Sequence, residues 1–340
     1  MMKAFFRVGV RVLFLVVVAG LLAAGGALAW FGSWRTEQLS RLHGASSIAK
    51  TAAGTVEYVQ DGEGPALLIF HGAPGGFDQA MLFGSEAAGF RVIAPSRPGY
   101  LRTPLATGLT PEKQASAMAA LLDSLGVESV AVMGVSLGAP AAVAFAQQYP
   151  QRTWAMVLVS PVTKKLVWQS PDVPLPQAVN ERLSGDVGSW MAEELAERDP
   201  ERLLSSTFDL AQTGDDVARG TWVSLVAGNP SQVAWFRDLV STLVPMSPRE
   251  TGLRNDLLQL RALPPIAYEK LEVPTLLICG AEDKWIDPAD VSAAAAKLPN
   301  ATLLTVPNTG HIVNLGPSSG DLPARIREFL GKFHGGQGAP

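Results

Sequence analysis

Cysteine is nearly absent: Cys279 stands alone in 340 residues, so no intrachain disulfide can form. Its setting, "TLLICG", is apolar and suits a buried, inert thiol. Histidine is scarce as well, with four, and without a second cysteine a Cys/His metal site is a poor reading; neither a metal nor an organic cofactor is implied. Positive charge is in short supply, with 27 Lys and Arg against 31 Asp and Glu. Three of the basic residues, Lys3, Arg7 and Arg11, precede the first apolar run, so the remainder is more acidic than the whole-chain net of −4. No basic cluster interleaved with aromatics occurs, which argues against nucleic-acid binding. Internal repeats are missing too. A hydrophobic content of 47% excludes disorder of the whole, and the length suits one large α/β domain with an insertion or two small domains.

What is present begins with "VLFLVVVAGLLAAGGALAWF", residues 12 to 31, a run without a charge. At about 1.5 Å per residue it is long enough to cross a hydrocarbon core of about 30 Å. The basic residues before it and Trp30, Phe31 and Trp34 at its far end fit an N-inside signal anchor in residues 1–34. "ALA" at 27 to 29 fits a cleaved signal peptide instead, ending near Ala29. Both readings put the rest of the chain outside the cytoplasm, membrane-anchored in the first and secreted or periplasmic in the second. Residues 35–53, polar with scattered Ala, Gly and Ser, read as a linker.

Beyond it, short apolar runs alternate with helix-period segments. The strand candidates are "TVEYVQ", "ALLIF", "RVIAP", "SVAVMG", "WAMVLVS", "PTLLICG" and "TLLTVP". Nearly continuous Val, Ile and Leu suit strands buried on both faces of a parallel sheet. Between them, "TPEKQASAMAALLDSLG" offers Thr110 as cap, Pro111 in the first turn and Gly126 as stop. An apolar helix follows Gly138 and ends before Pro150, and another spans 322 to 333. Strand, helix and strand in series predict a mostly parallel sheet flanked by helices. Residues 54–161 and 272–333 form this core, and 162–271, helical in pattern and without a convincing strand, read as an inserted cap or lid. Residues 334–340 read as a flexible tail.

The pattern G-x-S-x-G occurs twice, in "GVSLG" at 134 to 138 and "GPSSG" at 316 to 320. A nucleophilic serine needs a sharp strand-to-helix turn with small neighbours. Ser136 follows a strand and is followed at once by a helix. Ser318 sits after Pro317 with no buried run before it and reads as a loop. A serine also needs a base. His43 lies in the linker and His334 in the tail, while His71 opens a glycine-rich turn and more naturally holds that loop. His311, after the final strand, is the best base. The orienting carboxylate belongs on "GAEDKWIDP": Asp283 is preferred, Glu282 is the runner-up, and Asp287 before Pro288 suits a helix cap. An oxyanion requires two converging backbone N–H groups, which Ala73 in "HGAPGG" and Leu137 after the nucleophile would supply.

At this point the chain resembles the α/β-hydrolase fold superfamily of serine hydrolases with a helical cap. Residues 71–76 look like its oxyanion loop, "SRPGY" like the turn after its fourth strand, "GVSLG" like its nucleophile elbow, "GAEDKWIDP" like its acid turn and "GHIVNL" like its histidine loop. The resemblance implies an eight-stranded, mostly parallel sheet with the cap after strand six. Two positions depart from it: Ala139, where many relatives have glycine, and Ser96, where relatives often carry aspartate. A serine at the elbow disfavours the epoxide hydrolases and haloalkane dehalogenases, which use aspartate there.

A small or medium carboxylic ester is the preferred substrate class. The alternatives are an aminopeptidase of proline-iminopeptidase type, a C–C bond hydrolase, a cofactor-free peroxidase and, from a different class, a non-catalytic binding protein of the same fold. Trp285, Trp168 and Trp222 are candidates to line an apolar substrate pocket, against the plainer reading that such tryptophans pack helices together. Glu193, Glu194, Glu197, Asp199 and Glu201 read as a solvated helix face, with an amine-binding role as the alternative. Oligomeric state is not legible.

Overall fold

The computed structural model describes residues 2–165 and 185–334. It divides into two compact units, Met1–Gly44 and Ala45–Pro340. The first unit is a helix, α1 (Met2–Ala45), whose apolar part is long and apolar enough to cross a membrane by length and composition. The expected linker is in fact ordered: α1 runs through it to Ala45, and the edge strand β1 (Ser47–Thr51) follows. Its polar residues, Glu37, Gln38 and Arg41 among them, are good helix formers, and no proline interrupts them, so polarity alone does not end the helix.

In the second unit eight strands form one sheet in the order β1-β2-β4-β3-β5-β6-β7-β8. The remaining strands are β2 (Gly54–Asp61), β3 (Ala66–Phe70), β4 (Arg91–Pro95), β5 (Val130–Val135), β6 (Thr153–Val159), β7 (Thr275–Gly280) and β8 (Ala301–Val306). β1 and β2 pair antiparallel, as do β2 and β4, and every pairing from β4 through β8 is parallel. The central strands are apolar on both faces because both are covered. Leu67 and Ile69 of β3 face one core with Phe83 of α2 (Phe77–Gly84), while Leu68 and Phe70 face the other with Met118 of α3 (Pro111–Ser124) and Phe145 of α4 (Ala139–Gln148). The two-residue period of the strand thus supplies two layers at once.

Helix α3 begins as its sequence predicts, with the Thr110 hydroxyl accepting from the Lys113 N–H and Pro111 in the first turn. Between β6 and β7 the described residues form only helices: α5 (Gly185–Arg198), α6 (Pro200–Ala211), α7 (Asp216–Ala227), α8 (Pro230–Ser241) and α9 (Glu250–Ala262). α5 to α8 share a small core that includes Ala196, Leu204, Phe208, Trp222, Val226 and Phe236, while Leu260 of α9 joins the core against the sheet. The acidic run lies along this surface: Glu194 pairs with Arg198 at 2.8 Å, and Asp199 caps α6 by accepting from the Arg202 N–H. After β7 come α10 (Pro288–Ala295) and α11 (Leu322–Phe333), the latter burying Ile326, Phe329 and Leu330.

Candidate active site

Parallel strands all end on one side of the sheet, so the segments after β3, β5, β6, β7 and β8 converge there. Ser136 is the first residue after β5, at φ 48°, a left-handed conformation unusual for a residue with a side chain. The elbow depends on its flanking glycines. A Cβ on Gly134 would lie 2.7 Å from the Ala142 Cβ, and one on Gly138 would run into the Phe70 and His71 carbonyl oxygens. The first glycine therefore lets α4 pack on β5, and the second brings the elbow against the loop after β3. Ala139, a departure from the family pattern, is fully buried in this contact and starts α4 without disturbing it. The second match, around Ser318, lies in a loop ahead of α11 and does not line the cavity beside Ser136.

Ser136 Oγ lies 2.9 Å from His311 Nε2. On the other side of the ring, His311 Nδ1 lies 2.9 Å from Asp283 Oδ2. The carboxylate fixes the tautomer: Nδ1–H donates to Asp283, which leaves the Nε2 lone pair facing the serine hydroxyl. The other carboxylate oxygen, Asp283 Oδ1, accepts from the Trp285 N–H at 2.8 Å and the Ile286 N–H at 3.0 Å. Asp283 is therefore anchored at both oxygens. Glu282, the runner-up carboxylate, accepts from the Thr309 N–H at 2.9 Å and ties the histidine loop to the acid turn. Asp287 caps α10 through the Ala289 N–H.

Ala73 and Leu137 both line the cavity beside Ser136, as does Trp285, whose ring centroid is 4.7 Å from that of His311. Trp222 does not: it sits in the core of the inserted helices, 5.6 Å from the Phe208 ring, because an indole of that size fills the space between α6 and α7. Trp168 lies outside the described residues. His71 is buried and holds the loop, as its position suggests. Its Nδ1–H donates to the Gly72 carbonyl at 2.7 Å, and its Nε2 accepts from the Arg97 N–H at 2.9 Å. Burial and then the Arg97 charge push its pKa well below the ordinary value, so the ring stays neutral.

Several residues complete the surroundings, and of these the sequence singles out only Ser96. Ser160, just after β6, donates its hydroxyl to the His311 carbonyl at 2.7 Å. Gln79 lies under the loop and donates to the Pro74 carbonyl at 3.2 Å. Asn314, three residues past the base, lines the cavity and donates to Glu86 at 2.6 Å. Burial raises the Glu86 pKa to about 7. The Ser96 hydroxyl donates to Glu57 at 2.9 Å and accepts from the Phe77 N–H at 3.1 Å. Glu57, reaching in from β2, thus supplies the carboxylate that relatives often place at Ser96. Apart from Gln79 and Pro74, five residues apart, these contacts join distant segments, so no local signal in the sequence links them. Cys279 is buried in β7, and burial raises its thiol pKa, as an inert thiol requires.

Ser136, His311 and Asp283 are thus in line beside a cavity, an arrangement that matches the geometry of a serine hydrolase triad. The family model for the alpha/beta hydrolase fold matches residues 65–316, and the chain belongs to that family. Among curated proteins it is 26% identical over 260 residues to the 2-hydroxy-6-oxo-6-phenylhexa-2,4-dienoate hydrolase of Burkholderia cepacia, covering 74% of this chain and 82% of that one. It is 38% identical over 121 residues to the uncharacterized hydrolase YcgS of Bacillus subtilis (strain 168), a match spanning 35% of this chain and 41% of the relative. Among solved structures it is similar to an alpha/beta hydrolase fold protein from Nakamurella multipartita, with TM-score 0.77 and 29% identity over 84% of this chain and 98% of that one.

Proposed function

We propose that this hydrolase cleaves small or medium neutral carboxylic esters through Ser136, His311 and Asp283. His311 Nε2 takes the Ser136 proton as Oγ attacks the ester carbonyl, and the Ala73 and Leu137 N–H groups receive the developing oxyanion. The same proton passes to the departing alcohol, leaving an acyl-serine. Water, deprotonated by His311, then attacks the acyl carbon and releases the acid.

The observation that carries the neutral ester is the cavity wall. The cavity, about 150 Å³, is lined by Phe83, Val135, Val159, Leu239, Leu253 and Trp285 among others. A dry apolar cavity of about that size holds a benzene ring, which suits a short acyl or aryl group. None of the described residues lining it is Lys or Arg. A dienoate carries a carboxylate, and burying that charge without a cationic partner is costly. Similarity to the Burkholderia dienoate hydrolase supports C–C cleavage as the second reading. Purified protein assayed on p-nitrophenyl butyrate and on a 2-hydroxy-6-oxo-dienoate separates the two. The expected kcat/KM favours the ester at least ~10-fold, on the order of an unpaired buried charge's penalty; preference for the dienoate overturns the ester reading.

The N-terminal helix extends the proposal to location. The basic residues before its apolar run and the aromatics Trp30, Phe31 and Trp34 at its far end support an N-inside anchor with the hydrolase unit outside the cytoplasm. After carbonate extraction, the full-length chain is expected in the membrane pellet. A soluble protein beginning near Trp30 is the outcome of signal cleavage and overturns the anchor.

A further inference from the structure

Two buried ion pairs on one helix of the inserted segment reach the ends of the loop after β3, one through Arg97 of the segment after β4 and one through Asp78 at the start of α2. At the start of the loop, Arg97 donates from Nε to the His71 carbonyl at 2.8 Å and from Nη1 to Asp256 at 3.0 Å. Tyr100 donates its hydroxyl to the same aspartate at 2.6 Å. At the end of the loop, Asp78 in the first turn of α2 is gripped by both Arg249 nitrogens, at 3.0 and 2.7 Å. The Arg249 guanidinium is completely buried, and it also donates to the Val244 and Pro245 carbonyls.

Arg249 and Asp256 lie seven residues apart, Arg249 at the N-cap of α9 and Asp256 two turns on, so both project from one face. Leu253 and Leu257, between and beside them, line the cavity. The helix therefore forms part of the substrate wall and holds both ends of the loop. Each pair is neutral, so no net charge is buried between helix and loop.

The loop's backbone follows from these anchors. The Gly72 carbonyl accepts from His71 Nδ1, and the Arg97 Nη2 lies 3.5 Å away on the same side. In the trans peptide plane that Gly72 shares with Ala73, the Ala73 N–H is antiparallel to that carbonyl, so it points away from the guanidinium. Nothing else among the described polar contacts sets the plane of this peptide.

We propose that α9 is the positioning element of the oxyanion loop: Arg249 and Asp256, acting through Asp78 and Arg97, hold the Ala73 N–H at its working place opposite Leu137. The inference rests on the ester-hydrolase reading above. Catalysis depends on the donor's position to within tenths of an ångström, and a shift of about 1 Å costs on the order of 10²-fold in rate. These four residues touch no reacting atom.

The test uses the full chain on p-nitrophenyl butyrate, with acylation followed in single turnover and folding by near-ultraviolet circular dichroism. Arg249→Met is expected to lower kcat about 10²-fold with KM within threefold, since transition-state stabilisation is lost and ground-state binding is kept. Arg249→Lys, which keeps the charge without the fork, recovers at least about tenfold of that loss. Asp78→Asn combined with Arg249→Met is no slower than Arg249→Met, because both act on one loop. A folded Arg249→Met with kcat within threefold of the parent overturns the proposal, and so does a loss expressed wholly in KM. If Arg249→Met does not fold, Asp78→Asn decides by the same readouts, with a kcat loss of at least about tenfold expected. A parent protein that turns over no ester fails the hydrolase reading itself, which separates the two failures.

Discussion

Ser136→Ala is expected to lower p-nitrophenyl butyrate turnover by at least about 10⁴-fold, with the fold intact. Removing Oγ takes away the nucleophile and the partner of His311 Nε2 at 2.9 Å, and leaves the cavity wall and the loop after β3 in place. Residual activity comes from binding and the oxyanion donors alone. Because nucleophile, base and acid work as a unit, Ser136→Ala combined with His311→Ala falls no further than either alone by more than a few-fold. A fluorophosphonate probe reads the same property directly: the parent labels at Ser136 and the variant does not. Turnover by Ser136→Ala within tenfold of the parent would sink the assignment, and unlabelled parent protein would favour a binding protein on the same fold.

Asp256→Ala is expected to destabilise the protein by about 3–5 kcal/mol, measured by urea unfolding. Arg97 and Asp256 are 1% and 5% exposed, so water cannot replace the lost carboxylate. Burial opposes the charge on Arg97, yet Asp256 and Tyr100 outweigh it and hold the guanidinium pKa above its ordinary value. Without Asp256 the cation stays buried and unpaired, and the Tyr100 hydroxyl loses its acceptor. That cost is a large fraction of the about 5–15 kcal/mol that holds a typical domain together. Replacing both partners by apolar residues, Arg97→Met with Asp256→Leu, is expected to recover part of the loss, since the penalty lies in the orphaned charge. A loss below about 1 kcal/mol for Asp256→Ala would mean that Arg97 finds another anion or reaches solvent.

Much of the fold was legible from local pattern. Each of the seven strand candidates overlaps a strand of the sheet, four of them overrunning it by one residue, and the central ones stand out because a strand covered on both faces is apolar throughout. The eighth, β1, did not stand out. "SIAKT" is short, half polar and at the sheet edge, so its pairing with β2 owes little to burial. The linker reading failed for a related reason: polarity is shared by linkers and by solvated helices, and composition does not separate them. The elbow at Ser136 was legible because a strand, a serine between glycines and a helix are contiguous in the chain. Choosing among Glu282, Asp283 and Asp287 was harder, since all three follow the same strand. Geometry separates them: Glu282 ties the histidine loop, Asp283 holds His311 and Asp287 caps α10.

The sequence by itself determined the layered α/β plan, the elbow at Ser136, the order of serine, acid and histidine, and an N-terminal segment apolar enough for a membrane. Those are properties of contiguous residues, written in periodicity, capping and turn chemistry. Only the tertiary structure decided which groups surround the site: Ser160 on the His311 carbonyl, Glu57 behind Ser96, and α9 reaching both ends of the loop through Arg97–Asp256 and Asp78–Arg249. Arg97 and Asp256 are 159 residues apart in the chain. A buried charge looks like any surface charge in a sequence, and its partner is chosen by how the inserted helices pack on the sheet, which no local pattern records.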